Sequence, residues 1–176
     1  MRSAIALVFV FGCAAPQPPP PATPVEVPLF AISDDAFGPL DGKTPATLAA
    51  LRRAFAGYEV APVNAESLEY RVSMDTAKLF DVIPDANGAV LNIHVVTPKL
   101  VAGGWRVGDP FRGDVSTCEC WGDQIVCFNA GAHVAVALAK ICREGTLTSA
   151  RARAVLAGVA IRATIWSPRP LAAGGV

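Results

Sequence analysis

Few side chains in this sequence could do chemistry: five cysteines, two histidines, three tryptophans and some acids. A serine nucleophile would need a strained G-x-S-x-G elbow, and none occurs. A cysteine nucleophile needs a free thiol beside a histidine, and the cysteines at 118, 120, 127 and 142 read as bridged instead. His94 and His133, with an acid such as Asp81, could ligate a metal. Such histidines are more often polar positions on a sheet face. The segment from Gly38 to Thr44 looks like a phosphate-binding loop, but its spacing is one residue short, with Phe37 where the first glycine belongs. A glycine turn into a capped helix explains it, although Lys43 at a helix start could hold an anion. Asp34 and Asp35 are neighbours on a loop, where adjacent side chains point apart. Trp105, Trp121 and Trp166 could line a glycan- or peptide-binding surface, with core or edge packing the commoner role. No catalytic residue, metal or cofactor is assigned.

The four later cysteines form an even set, which in an exported domain reads as two disulfides. Cys118 and Cys120 are two apart, so on a strand they share a face and do not easily pair with each other. Cys127 then bonds one of them and Cys142 the other, with Cys118–Cys127 slightly favoured. The rival is a four-thiolate zinc site, but the spacing lacks the paired C-x-x-C knuckles common there.

Cys13 stands apart. Met1-Arg2 is a short positive start, Ala4 to Phe11 is an unbroken apolar run, and Gly12-Cys13 ends it. The run is far below the roughly 20 residues of a membrane-spanning helix and fits the apolar part of a secretory signal. Val10-Phe11-Gly12-Cys13 resembles the lipobox of bacterial lipoproteins, with Phe11 bulkier than usual at its place. That resemblance implies cleavage before Cys13, a diacylglyceryl group on its thiol and acylation of the new amine. Each buried CH₂ contributes about 0.8 kcal/mol, so several chains hold where one binds marginally. Ala14 to Pro28 is rich in Pro and Ala. Proline lacks the N–H and fixes φ, so this stretch should be an extended, semi-rigid spacer.

The expected organisation is a signal peptide over 1–12, a lipidated cysteine and tether over 13–28, one domain over 29–170 and a flexible tail over 171–176. The net charge is zero and no basic run occurs, which argues against a nucleic-acid partner. Leu29 to Ile32 reads as a first strand. Thr44, Pro45 and Gly57 read as cap, first residue and terminator of a helix with Leu48, Leu51 and Phe55 on one face. Strands are read from Tyr58, over Leu68 to Met74 and over Ala89 to Val96, the last after the Asp85-Ala86-Asn87-Gly88 turn. Asp109-Pro110 could cap a short helix. Cys118 to Asn129 is a hairpin turning near Trp121-Gly122-Asp123. Ala132 to Leu138 reads as a central strand, Thr148 to Leu156 as helix or strand, and Val159 to Trp166 as the last strand. This pattern is an α+β fold: a mainly antiparallel sheet with one clear helix and one or two short ones.

Several segments in this order resemble the RpoE-regulated lipoprotein family: the lipobox, Phe37-Gly38-Pro39-Leu40, Phe55 to Val60, Leu91 to Val95, Trp105 to Asp109, the cysteine hairpin and Ile165-Trp166-Ser167-Pro168. The likeness covers about residues 32–168. It implies an envelope location, most simply the outer membrane facing the periplasm or the cell surface, and no catalytic residues. It also implies one hairpin bridge, so Cys118 and Cys120 together depart from it. Ala14, rather than Asp, after Cys13 agrees with sorting to the outer membrane. The expectation is a non-enzymatic, lipid-anchored protein that binds an envelope partner or supports the envelope. A periplasmic module for a glycan or peptide, and a hydrolase with an unrecognised site, are the alternatives.

Overall fold

Period-two alternation of apolar and polar residues builds most of this chain into one sheet. The computed structural model describes residues 30–142 and 150–173. The elements are β1 (Ala36–Phe37), β2 (Leu40–Asp41), α1 (Leu48–Ala54), β3 (Glu59–Pro62), β4 (Tyr70–Met74), β5 (Ala77–Pro84) and β6 (Val90–Val95). They continue as β7 (Val101–Ala102), β8 (Trp105–Arg106), β9 (Thr117–Trp121), β10 (Gln124–Phe128), β11 (Val134–Ile141), α2 (Ala150–Leu156) and β12 (Ile161–Trp166). Eight strands form one sheet in the order β3-β4-β5-β6-β12-β11-β10-β9. Every pairing in it is antiparallel. The sheet is two four-stranded meanders joined along their last strands, β6 and β12. The expected α+β class, mainly antiparallel with few helices, is what the chain adopts.

The register aligns one residue from each strand into a row: Val60, Val72, Phe80, Val95, Thr164, Val136, Cys127 and Cys118. All eight are buried. Over the first meander this face is covered by α1 and the β1–β2 hairpin, through Leu51, Phe55, Phe37 and Leu40. Over the second it is covered by Phe111, Val115 and Leu156. The adjacent row is Ala61, Arg71, Asp81, His94, Ile165, Ala135, Phe128 and Thr117. It points to the opposite face, which is polar over the first meander. Over the second meander it is apolar, packed with Trp121, Leu171 and Val96.

Thr164 is the one polar member of the core row, and its hydroxyl is buried without a hydrogen-bond partner. An unpaired buried polar group costs about 1–3 kcal/mol, whereas an apolar group of the same shape avoids that penalty. Thr164→Val is therefore expected to stabilise the domain by about 1 kcal/mol. A rise in the urea midpoint at unchanged slope checks this; a fall would mean that the hydroxyl is satisfied.

Several local expectations are corrected. The helix is capped by Thr47, whose side chain accepts from the Ala50 N–H, and not by Thr44. The cause is tertiary: Ala46 N–H donates to the Gly88 carbonyl and Pro45 bridges Ala89, which keeps residues 45–46 extended. No strand forms at Ile32, which makes a single bridge to Phe37. Phe30 is drawn into a ring cluster with Phe37, Phe55, Tyr58 and Phe80. Leu68 is 73% exposed and precedes β4, because Glu69 N–H is held by the Ser67 hydroxyl in a turn. Asp109-Pro110 starts no helix. Phe111 N–H donates to Val159 and Ile161 N–H to Asp109, so this segment runs extended beside β12 and inserts Phe111 into the core. Strand β5 was not foreseen; Leu79 and Phe80 are consecutive buried residues at a register shift, which breaks its alternation. Residues 150–156 are helix, while Thr148 and Ser149 lie outside the described residues. The chain end stays attached past 170: Leu171 is buried and pairs through its backbone with Gly131 and Ala132.

Candidate functional site

The cysteines resolve by register. Cys118 stands opposite Cys127 on β9 and β10, and the two are bonded. Cys120, on the same face, stands opposite Ile125 and bonds Cys142 just past β11, where Cys142 N–H donates to Asp123. All four thiols are used, so none is left as a zinc ligand or nucleophile. Cys13 lies outside the described residues.

The three tryptophans do not form one surface. Trp166 is fully buried in the core, and its Nε1–H donates to the Ser33 carbonyl at 2.7 Å. The Trp105 ring stacks with Phe111 at 5.7 Å, and the Arg112 guanidinium lies 4.1 Å from its centroid. Trp121 packs on Phe128 at 6.2 Å, and its Nε1–H is buried without a partner. A sugar-stacking platform needs open ring faces, and these rings already carry protein partners.

The histidines are also separate. His94 sits opposite Asp81 on the polar half of the outer face. The Asp81 carboxylate is taken by Arg71 at 3.1 Å and by Lys78. Burial pushes the His94 imidazole below its ordinary range; Asp81 pulls it back and Lys78 adds to the depression. His133 lies just before β11, with Nδ1 2.9 Å from the Ser167 carbonyl. Among the described residues no three His, Cys, Asp or Glu side chains are grouped to hold a metal.

The segment from Gly38 to Thr44 is no anion loop. The Asp41 carboxylate accepts from the Lys43 N–H at 3.0 Å and the Thr44 hydroxyl at 2.8 Å. These bonds, led by the Thr44 hydroxyl, hold its pKa below the usual value. An anion would meet that carboxylate where it needs donors.

One cleft gathers polar side chains from three loops. It has a volume of about 130 Å³ and is lined by Asp34, Trp105, Asn129 and His133 over Val115 and Val134. Asp34 rides on the turn before β1, closed by Ser33 N–H to the Ala36 carbonyl and tied to the core by Trp166. Asn129 follows β10, and its Oδ1 accepts from Ser116 N–H at 2.8 Å. Gly103 brings the β7–β8 turn against β11; at its φ of +55° glycine is favoured, and a Cβ here would meet Val134 at 3.0 Å. Asp34 is exposed on its turn, as the sequence suggests, and Asn129 carries no sequence signal of its own. No spacing rule links residues 34, 129 and 133. A second cleft, of about 220 Å³, lies between Trp121, Leu91, Asn92, Arg169, Pro170 and Leu171. Arg169 there is paired with Asp85 at 3.2 Å.

The sequence matches no family model and no curated protein. Among solved structures, the chain shares its fold with the uncharacterized protein yfeY from Escherichia coli, at a TM-score of 0.56 and 19% identity. The match covers 77% of this chain and 98% of that one.

Proposed function

We propose that this chain is a bacterial envelope lipoprotein whose domain acts by binding or support rather than by catalysis. The observation that carries the envelope reading is the pair of disulfides, Cys118–Cys127 and Cys120–Cys142. Such bonds form and persist in oxidising compartments outside the cytoplasm. The lipobox-like sequence at Cys13 and the proline spacer after it support attachment through acyl chains, with the domain held off the bilayer. A fold shared with a bacterial protein agrees with this at the level of fold. The order of motifs over residues 32–168 resembles the RpoE-regulated lipoprotein family, and Ala14 after the cysteine favours the outer membrane.

The binding reading is supported by the cleft at Asp34 and His133, where polar groups converge over an apolar floor. Its partner is better read as a peptide than as a glycan, since the tryptophan rings are already covered by Phe111, Arg112 and Phe128.

Cys13→Ser tests the anchor. Wild-type protein is expected to float with vesicles and partition into detergent, and the variant to appear in the soluble envelope fraction. A variant that still floats defeats the lipid-anchor reading. Recovery of one partner by both forms from envelope extracts would place recognition on the domain; recovery by neither would leave membrane residence as the role.

A further inference from the structure

We infer that the Asp34–His133 cleft binds the free amino end of a peptide, with the first residue seated over the apolar floor. The inference rests on the binding reading above and names the partner chemistry for that site.

Four features of the cleft match four features of an N-terminal residue. The Asp34 carboxylate has no ion pair or hydrogen bond among the described residues, although its turn is fixed by Ser33, Ala36 and the Trp166 indole. It is an exposed carboxylate carried on a fixed turn, with no cationic side chain paired to it among the described residues. His133 presents Nδ1 to the Ser167 carbonyl. A carbonyl accepts only, so Nδ1 carries the proton in the neutral ring and Nε2 is left as an acceptor. A carboxylate and an imidazole nitrogen on one small cleft suit a group rich in donors and positively charged. An α-ammonium, with three N–H donors and a pKa of about 8, is such a group near neutral pH.

Asn129 has the opposite character. Its Oδ1 is occupied by Ser116 N–H, so what it retains is the amide NH₂, a donor. A lysine side chain brings no acceptor for it, whereas an N-terminal residue carries its carbonyl two bonds from the amine. Val115 and Val134 offer an apolar floor for a side chain. Size agrees as well. An enclosed cavity of about 150 Å³ takes a benzene ring, so the 130 Å³ here takes about six heavy atoms, one small residue.

The test titrates the lipidated full chain in detergent with L-alaninamide and with N-acetyl-L-alaninamide, following the His133 ring signals by NMR. Saturable shifts are expected with the free amine, and binding at least tenfold weaker with the acetylated form. Asp34→Asn should weaken the amine at least tenfold, because the carboxylate makes no structural bond, while Asp35→Asn should change affinity less than twofold. Equal binding of both amides, or no shift at His133, overturns the inference. If that happens while the chain still retains a partner from envelope extracts, the binding reading stands and only the cleft assignment falls.

Discussion

Trp166→Ala is expected to remove about 4–5 kcal/mol of stability, the largest single-residue effect in the domain. Truncating a buried Trp typically costs about 3–5 kcal/mol through lost transfer energy and the cavity left behind. Trp166 sits at the extreme of that range for structural reasons. It is 0% exposed at the end of β12, opposite Val134 on β11 and Ile93 on β6, and its ring lies 6.0 Å from Phe37. It therefore packs where the two meanders meet and where the β1–β2 hairpin covers them. Its Nε1–H also satisfies the Ser33 carbonyl, so truncation leaves that acceptor unpaired. At about 3 °C per kcal/mol for a domain of this size, the midpoint should drop by roughly 12–15 °C. Trp166→Phe separates the two contributions: it keeps most of the burial, loses the hydrogen bond, and is expected to cost about 1–2 kcal/mol. Thermal unfolding followed by circular dichroism measures both. A loss below about 1 kcal/mol for Ala would remove Trp166 from the centre of the core. A Phe variant as unstable as Ala would assign the effect to the indole N–H.

That tryptophan also shows where sequence reading stops. Its strand was legible, because Ile161, Ala163 and Ile165 alternate with Arg162 and Thr164 and Pro168 follows; its burial was not, because nothing local tells a core tryptophan from an edge one until the neighbours are known. Local chemistry was a good guide where it acts alone. The Asp85-Ala86-Asn87-Gly88 turn forms, with the Asp85 carboxylate accepting from Asn87 and Ala89 N–H groups. The Trp121-Gly122-Asp123 turn likewise joins β9 to β10 with Trp121 opposite Gln124. Local chemistry misled where a distant strand competes. Thr44 and Thr47 are equally good caps in sequence, and the bond from Ala46 to Gly88 selects the second. The pairing of β6 with β12, which closes two meanders into one sheet, has no local signal. The cleft depends on that closure, since Asp34, on the turn before β1, meets Asn129 and His133 only once the two meanders are joined.

The two disulfides should contribute similar stability for different reasons and differ in reducibility. Cys118–Cys127 closes a separation of 9 residues and Cys120–Cys142 one of 22. Loop-closure entropy assigns about 2.7 kcal/mol to the first and about 3.4 kcal/mol to the second. Cys120→Ala with Cys142→Ala is thus expected to lower the unfolding midpoint by roughly 10 °C. Cys118→Ala with Cys127→Ala should come close to that, because its smaller entropic term is joined by lost packing: both sulfurs lie in the core row, 0% and 1% exposed. Access runs the other way. Exchange requires a thiolate to reach a disulfide sulfur, and Cys120 and Cys142 are only partly buried. Under native conditions a limiting dithiol should open Cys120–Cys142 first, so that alkylation marks Cys120 and Cys142 while Cys118 and Cys127 remain bonded until the domain unfolds. Peptide mapping after partial reduction reads the order directly. Simultaneous opening would mean that the core row is exposed by local unfolding at β9, and four thiols alkylated without any reductant would remove both bonds together with the oxidising compartment they imply.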